Sequence, residues 1–250
     1  MADEDALEIA EREYFSPAAA AEGAPRIRAI SAAELLDMDI PEPVPVLEPW
    51  LHEEQLALVY APRGMGKTLF MMGAAAATAS GGGFLGWNAP EPRNVLYVDG
   101  ELPLARLRER VQLALRTVEG PKEDPREFLR LISPGINRTS PNIAEESGRK
   151  MIEDHLEGVG LLVLDALSTL CRSGVENDAE SWQPIQDWIV RLRSTKLPVL
   201  VGHHAGKSGL QRGTSKREDV FDWIINLRKP SDYLPSQGAR FEVHFEKTRG

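Results

Sequence analysis

Apolar runs alternating with amphipathic stretches predict an α/β fold: a mostly parallel sheet flanked by helices. Three observations carry this. Several runs are apolar throughout, as strands buried on both faces require: Leu56 to Tyr60, Asn94 to Asp99, Leu161 to Asp165 and Pro198 to Gly202. Helix-period stretches separate them. A glycine-rich turn joins the first run to an Ala- and Met-rich one, Leu69 to Thr78.

Residues 1–27 are acidic and Ala-rich without a sustained period, and are expected to form a flexible arm. Ser31-Ala-Ala-Glu34 reads as a capping box opening a short helix. Pro41, Pro43, Pro45 and Pro49 then predict an extended linker, so that residues 28–54 precede a domain spanning 55–250. The Gly81-Gly82-Gly83 run reads as a flexible break. Beyond Pro103, residues Leu104, Leu107, Val111, Leu115 and Val118 mark one helix face. Phe128 to Ile132 reads as a strand and Ile143 to Leu156 as a helix. Ala179 to Arg193 is amphipathic, and its Trp182, Ile185, Ile189 and Leu192 read as core packing. Trp223 to Leu227 and Phe241 to Phe245 complete the strands.

Composition narrows the class. The chain has 250 residues, 42% of them hydrophobic, enough for one sizeable core. No run approaches a membrane span and the N-terminus lacks an apolar signal core, so a soluble cytoplasmic protein without membrane partners is expected. A single cysteine, Cys171, allows neither an internal disulfide nor a cysteine metal site. The net charge of −9 argues against a nucleic-acid coat but leaves room for a local basic loop.

The turn reads Ala61-Pro62-Arg63-Gly64-Met65-Gly66-Lys67-Thr68, and Leu69 follows it. Strand, glycine-rich turn and helix are the setting of a phosphate-binding loop. Its glycines let successive N–H groups turn inward, and a helix N-terminus adds its positive end. Lys67 is placed to reach the β- and γ-phosphates of ATP, and Thr68 to hold Mg²⁺. The first glycine of the pattern is replaced by Ala61, at a position that ends the strand.

Polar groups sit at three further strand ends: Asp99-Gly100-Glu101, Asp165 and His203-His204. In an open parallel sheet such ends converge. Asp165 after Leu-Leu-Val-Leu is a second candidate for Mg²⁺. Glu101 is a candidate general base, and equally a helix-start charge beside Pro103. His203 and His204 are candidates to hydrogen-bond a terminal phosphate. The segment from Gly206 to Arg217 holds Lys207, Arg212, Lys216 and Arg217, a set suited to a phosphate backbone such as that of single-stranded DNA, and equally to a solvated loop.

With these residues together the chain resembles the RecA-like ATPases, and among them the RepA-type hexameric replicative helicases of plasmids and phages. Ala61 to Thr68 matches their Walker A motif, and Val95-Leu-Tyr-Val-Asp-Gly-Glu101 the strand with the catalytic glutamate. Leu161 to Asp165 matches Walker B, Pro198 to His204 the sensor strand, and Arg212-Gly213-Thr214 with Asp219 the stretch after a mobile DNA-binding loop. Ile30 to Leu36 before a Pro-rich stretch is similar as well. The resemblance implies a RecA-like fold and a homohexameric ring. It also implies Mg²⁺-dependent ATP hydrolysis coupled to movement on single-stranded DNA, with His204 as the sensor. Lys247-Thr-Arg249 resembles the segment by which DnaB-type rings supply an arginine finger to the neighbouring subunit; Arg212, Arg217 and Arg228 compete for that role. Relatives run on beyond this segment, so Gly250 is expected to end a shortened or minimal form. The rival expectation is a RecA-like ATP-dependent regulatory or assembly protein that unwinds nothing.

Overall fold

The structure, a computed structural model, describes residues 28–172, 179–204 and 219–248. Among these residues seven strands form the central sheet: β3 (Leu56–Ala61), β6 (Val95–Asp99), β7 (Leu129–Ile132), β8 (Leu161–Asp165), β9 (Val199–His204), β10 (Trp223–Arg228) and β11 (Glu242–Thr248). Across the sheet they lie in the order β11-β10-β3-β9-β8-β6-β7. All neighbours run parallel except β11, which closes one edge antiparallel to β10. The mostly parallel sheet flanked by helices is the fold that the alternation predicts.

Strand β3 lies inside the sheet and all six of its residues are buried. Alternation along it sends Ala57, Val59 and Ala61 to one face and Leu56, Leu58 and Tyr60 to the other. The first face is covered by α2 (Lys67–Ser80) and α3 (Leu104–Leu115). The second packs against α6 (Glu146–Glu153), α7 (Leu167–Leu170) and α8 (Ala179–Arg193). Trp182, Ile185, Ile189 and Leu192 of α8 are core residues, as their spacing suggests.

Residues 28–42 form a unit of their own, set off from 43–250. It contains α1 (Ala32–Asp37) with the capping box in place: Ser31 Oγ accepts from Glu34 N at 3.1 Å, and Glu34 Oε2 accepts from Ser31 N at 2.7 Å.

Local order departs from the sequence reading in five places. Residues 45–52, expected in an extended linker, form the antiparallel pair β1 (Pro45–Leu47) and β2 (Leu51–His52). Trp50 sits edge-on to Trp87, Trp223 and Phe245 at 5.4–6.1 Å, and this aromatic packing draws the segment into the core. The Gly81–Gly83 run is no flexible break. It leads into β4 (Gly83–Phe84), which pairs with β5 (Trp87–Asn88), and Gly83 N donates to Glu119 O at 2.7 Å. The expected helix over 143–156 is shorter at both ends. The Phe128 strand start gives way to α4 (Pro125–Phe128), capped by Asp124. Leu104, expected on the buried face of α3, is 52% exposed, whereas Leu107 is buried.

Candidate functional site

The site begins where β3 ends. Ala61 is still strand, pairs with His204 and is fully buried, so the first glycine of the phosphate-loop pattern has no special backbone to adopt here. Gly64 and Gly66 do: their φ values are +77° and +103°, the left-handed region that side chains disfavour. Gly66 caps α2, which starts at Lys67. Arg63 is exposed on the turn, while Met65, Thr68 and Leu69 are half-buried around it.

Lys67 points back across the sheet. Its side chain is 7% exposed, and its ammonium pairs with Asp165 Oδ1 at the end of β8. The other oxygen, Oδ2, accepts from the Tyr97 hydroxyl at 2.8 Å, and the nearby Thr68 hydroxyl also favours the charge on this carboxylate. Burial works against the Asp165 charge, but Lys67 and the hydroxyls outweigh it and hold the carboxyl below its ordinary value. Burial and the Asp165 charge push the Tyr97 phenol well above its usual range, so it remains a donor.

Room for this group comes from β9. A Cβ at Gly202 would lie 2.9 Å from Lys67 Nζ and 3.0 Å from Asp165 Oδ1. The strand is therefore bare where the charge pair passes.

The turn after β6 carries Glu101. Asp99, 1% exposed, accepts from Leu102 N at 3.0 Å, Glu101 N at 3.3 Å and Ser133 Oγ at 3.1 Å. Burial raises its pKa above the usual carboxylate value, only partly offset by these bonds. Asp99 thus clamps the turn, while Glu101 stands exposed at its tip.

The two histidines separate. His204 lies on the α2 face of β9, within electrostatic reach of Lys67, Glu101, Arg63 and Asp165. Burial, then the Lys67 charge, lowers its pKa, so the ring is neutral at neutral pH. Its Nδ1 is buried and has no hydrogen-bond partner among the described residues. His203 alternates to the opposite face, beside Tyr60, and is 1% exposed. It is not brought to the phosphate loop.

Lys247 is also elsewhere. It pairs with Ile224, which pairs with Leu58, so it lies toward the N-terminal end of the parallel strands, away from its own phosphate loop. Its ammonium donates to Asp219 O at 3.3 Å. Arg228, by contrast, is two residues beyond the Asn226–Tyr60 pair and so level with the loop; it is ion-paired with Glu246 at 2.7 Å. Lys207, Arg212, Lys216, Arg217 and Arg249 lie outside the described residues.

Sequence reasoning passed over Tyr97, Gly202 and Ser133. For Tyr97 a signal was present: it is the one side chain with a polar atom in the buried run Val95–Val98, two residues before Asp99 and so on the same face.

The residues suit a magnesium-bound nucleoside triphosphate. The left-handed glycines turn the loop toward a helix N-terminus, and a lysine and a buried carboxylate meet there. Among the described residues no three His, Cys, Asp or Glu side chains cluster to hold a metal by themselves. That accords with magnesium held by few protein oxygens plus substrate phosphates. Thr68 and Asp165 would be those oxygens, and the ion would supply neutralising charge to the phosphates.

Fold and site together define a P-loop ATPase of the RecA type. The AAA domain family model matches residues 22–209, well over half of the chain, and the chain belongs to that family. Among solved structures it is similar to a KaiC-like protein from the hyperthermophilic archaeon Pyrococcus horikoshii OT3. The TM-score is 0.55 with 15% identity, over 82% of this chain and 83% of that one. At that identity the likeness concerns the fold. No curated protein sequence matches the chain. Among the described residues no helix is long and apolar enough to cross a membrane.

Proposed function

We propose that this chain is the Mg²⁺-dependent ATPase of a ring-forming replicative DNA helicase that moves along single-stranded DNA. In this reading residues Ala61 to Leu69 wrap the phosphates and Lys67 supplies their fixed cation. Thr68 and Asp165 hold Mg²⁺. Glu101 takes the proton from the attacking water, and neutral His204 donates to the terminal phosphate. The observation that carries the DNA reading is continuity along the chain. His204 ends β9 next to Lys67, and the basic residues Lys207, Arg212, Lys216 and Arg217 follow at once in sequence. A change at the phosphate therefore has a direct covalent route to the segment that would grip DNA.

Replacing those four basic residues with Ala should weaken single-stranded DNA binding. Each lost phosphate contact should flatten the log–log salt slope by about 0.7. Fluorescence anisotropy across a salt series measures this. Equal affinity and equal slope in the variant would place the DNA path elsewhere.

In this reading the ring supplies a cation from a neighbouring copy. A cation opposite the γ-phosphate contributes about 10³–10⁵ in rate in such enzymes. Lys247 lies away from its own phosphate loop, so any such role for Lys247 is toward a neighbouring copy. Arg228, level with the phosphate loop, is the alternative. Turnover per subunit should rise with protein concentration as light scattering shows assembly. Constant turnover in a species that stays monomeric would overturn the ring.

A second reading is an ATP-dependent assembly or regulatory protein without unwinding activity, which the net charge of −9 favours. Strand displacement on forked DNA separates the two.

A further inference from the structure

Three groups hold the charge of the Asp165 carboxylate, Lys67 and Tyr97 by hydrogen bonds and Thr68 from close by, and they differ in where they come from. Lys67 and Thr68 belong to the first turn of α2, inside the loop that must rearrange around a nucleotide. Tyr97 belongs to β6, the neighbouring strand of the sheet. Its ring is fully buried and packed in the core, so its hydroxyl has a fixed position. Its partner carboxylate is also buried, 4% exposed, at the end of a strand buried along its whole length.

This asymmetry has a consequence for metal binding. Lys67 cannot both hold Asp165 and follow phosphates at full strength, and the Thr68 hydroxyl has one proton to donate. When these two turn to a nucleotide, a carboxylate with no other anchor is free to rotate about χ2, whose energy wells are broad. Tyr97 holds Oδ2 from outside the loop and leaves Oδ1 directed at the Lys67–Thr68 side. Partners behind a ligating carboxylate orient it, and their loss commonly costs about 10–100-fold in metal affinity.

We infer that Tyr97 is a positioning residue for magnesium: its hydroxyl fixes the Asp165 carboxylate in the orientation that accepts the ion of a bound Mg²⁺–nucleotide. The inference builds on the ATPase reading above and assigns Tyr97 no contact with substrate.

The test is the Tyr97→Phe variant, which removes one oxygen and keeps the ring. The probe is a fluorescent ADP analogue, titrated into the full chain with excess Mg²⁺ and again with EDTA. In the wild type, Mg²⁺ should tighten binding. In Tyr97→Phe the metal-free affinity should stay within about twofold. The Mg²⁺ concentration giving half of the metal effect should rise about tenfold or more. A purely structural loss would weaken both affinities together. The comparison is a ratio within one preparation, so a partly unfolded variant still reports. An unchanged Mg²⁺ midpoint, or equal loss with and without metal, would overturn the inference. Failure of the ATPase reading looks different: the wild-type chain itself would not bind the analogue, or Lys67→Ala would bind it as well as wild type.

Discussion

Lys67→Ala should lose at least about 10²–10³ of the ATP turnover, the usual effect of removing a fixed charge stabiliser from a transition state. The geometry makes the loss double. Among the described residues the ammonium is the one cation paired with Asp165, so its removal takes a cation from the phosphates and also leaves a buried carboxylate short of a partner. Breaking one side of a buried ion pair typically costs about 3–5 kcal/mol. Thermal melting should therefore be measured beside steady-state hydrolysis. Asp165 gives a pH signature as well. Its folded pKa lies below the ordinary 3.8, so the stability it contributes is present above that value and is lost as pH falls through the folded pKa. In Lys67→Ala burial dominates and the folded pKa rises; once it exceeds 3.8 the carboxylate costs stability above that value, a cost relieved as pH falls. A variant with wild-type turnover would end the phosphate-loop reading.

Glu101→Gln should bind ATP normally and hydrolyse it about 10²–10⁴-fold more slowly, the range for loss of a general base. The amide keeps the size of the side chain but cannot take a proton. The fold makes this a clean substitution. The turn is held by Asp99, which bonds the backbone N–H groups of Glu101 and Leu102, so the Glu101 side chain has no part in the clamp. Asp99→Asn is the informative contrast. Asp99 is buried among three donors, and its loss should disturb the turn and lower stability as well as rate. Single-turnover hydrolysis with separately measured nucleotide affinity distinguishes the two. Unchanged chemistry in Glu101→Gln would move the base elsewhere.

Much of this was legible without coordinates because it depends on local rules. A parallel strand buried on both faces must be apolar along its length, and Leu56–Tyr60, Val95–Val98 and Leu161–Leu164 announce themselves that way. A chain entering a helix through Gly-x-Gly-Lys-Thr has few backbone options, so the phosphate loop is a sequence property too. Convergence of strand ends follows from topology: Lys67 pairs with Asp165, and both lie with Glu101 within electrostatic reach of His204. Other features depended on contacts between distant segments. Trp50, Trp87, Trp223 and Phe245 pull residues 45–52 out of the Pro-rich linker that their prolines suggest.

What the sequence by itself determined, then, is the strand–helix alternation, the phosphate loop and the carboxylates that accompany it, because each is encoded in a run of adjacent residues. Tertiary structure alone decided the rest. Pairing β9 with β3 sends His204 to the nucleotide face and His203 to the other, since neighbours on a strand cannot share a side. The antiparallel return of β11 carries Lys247 away from its own phosphate loop. Tyr97 meets Asp165 only because β6 lies beside β8, the two residues standing 68 positions apart in the chain. No local pattern contains that distance; the packing of the sheet closes it.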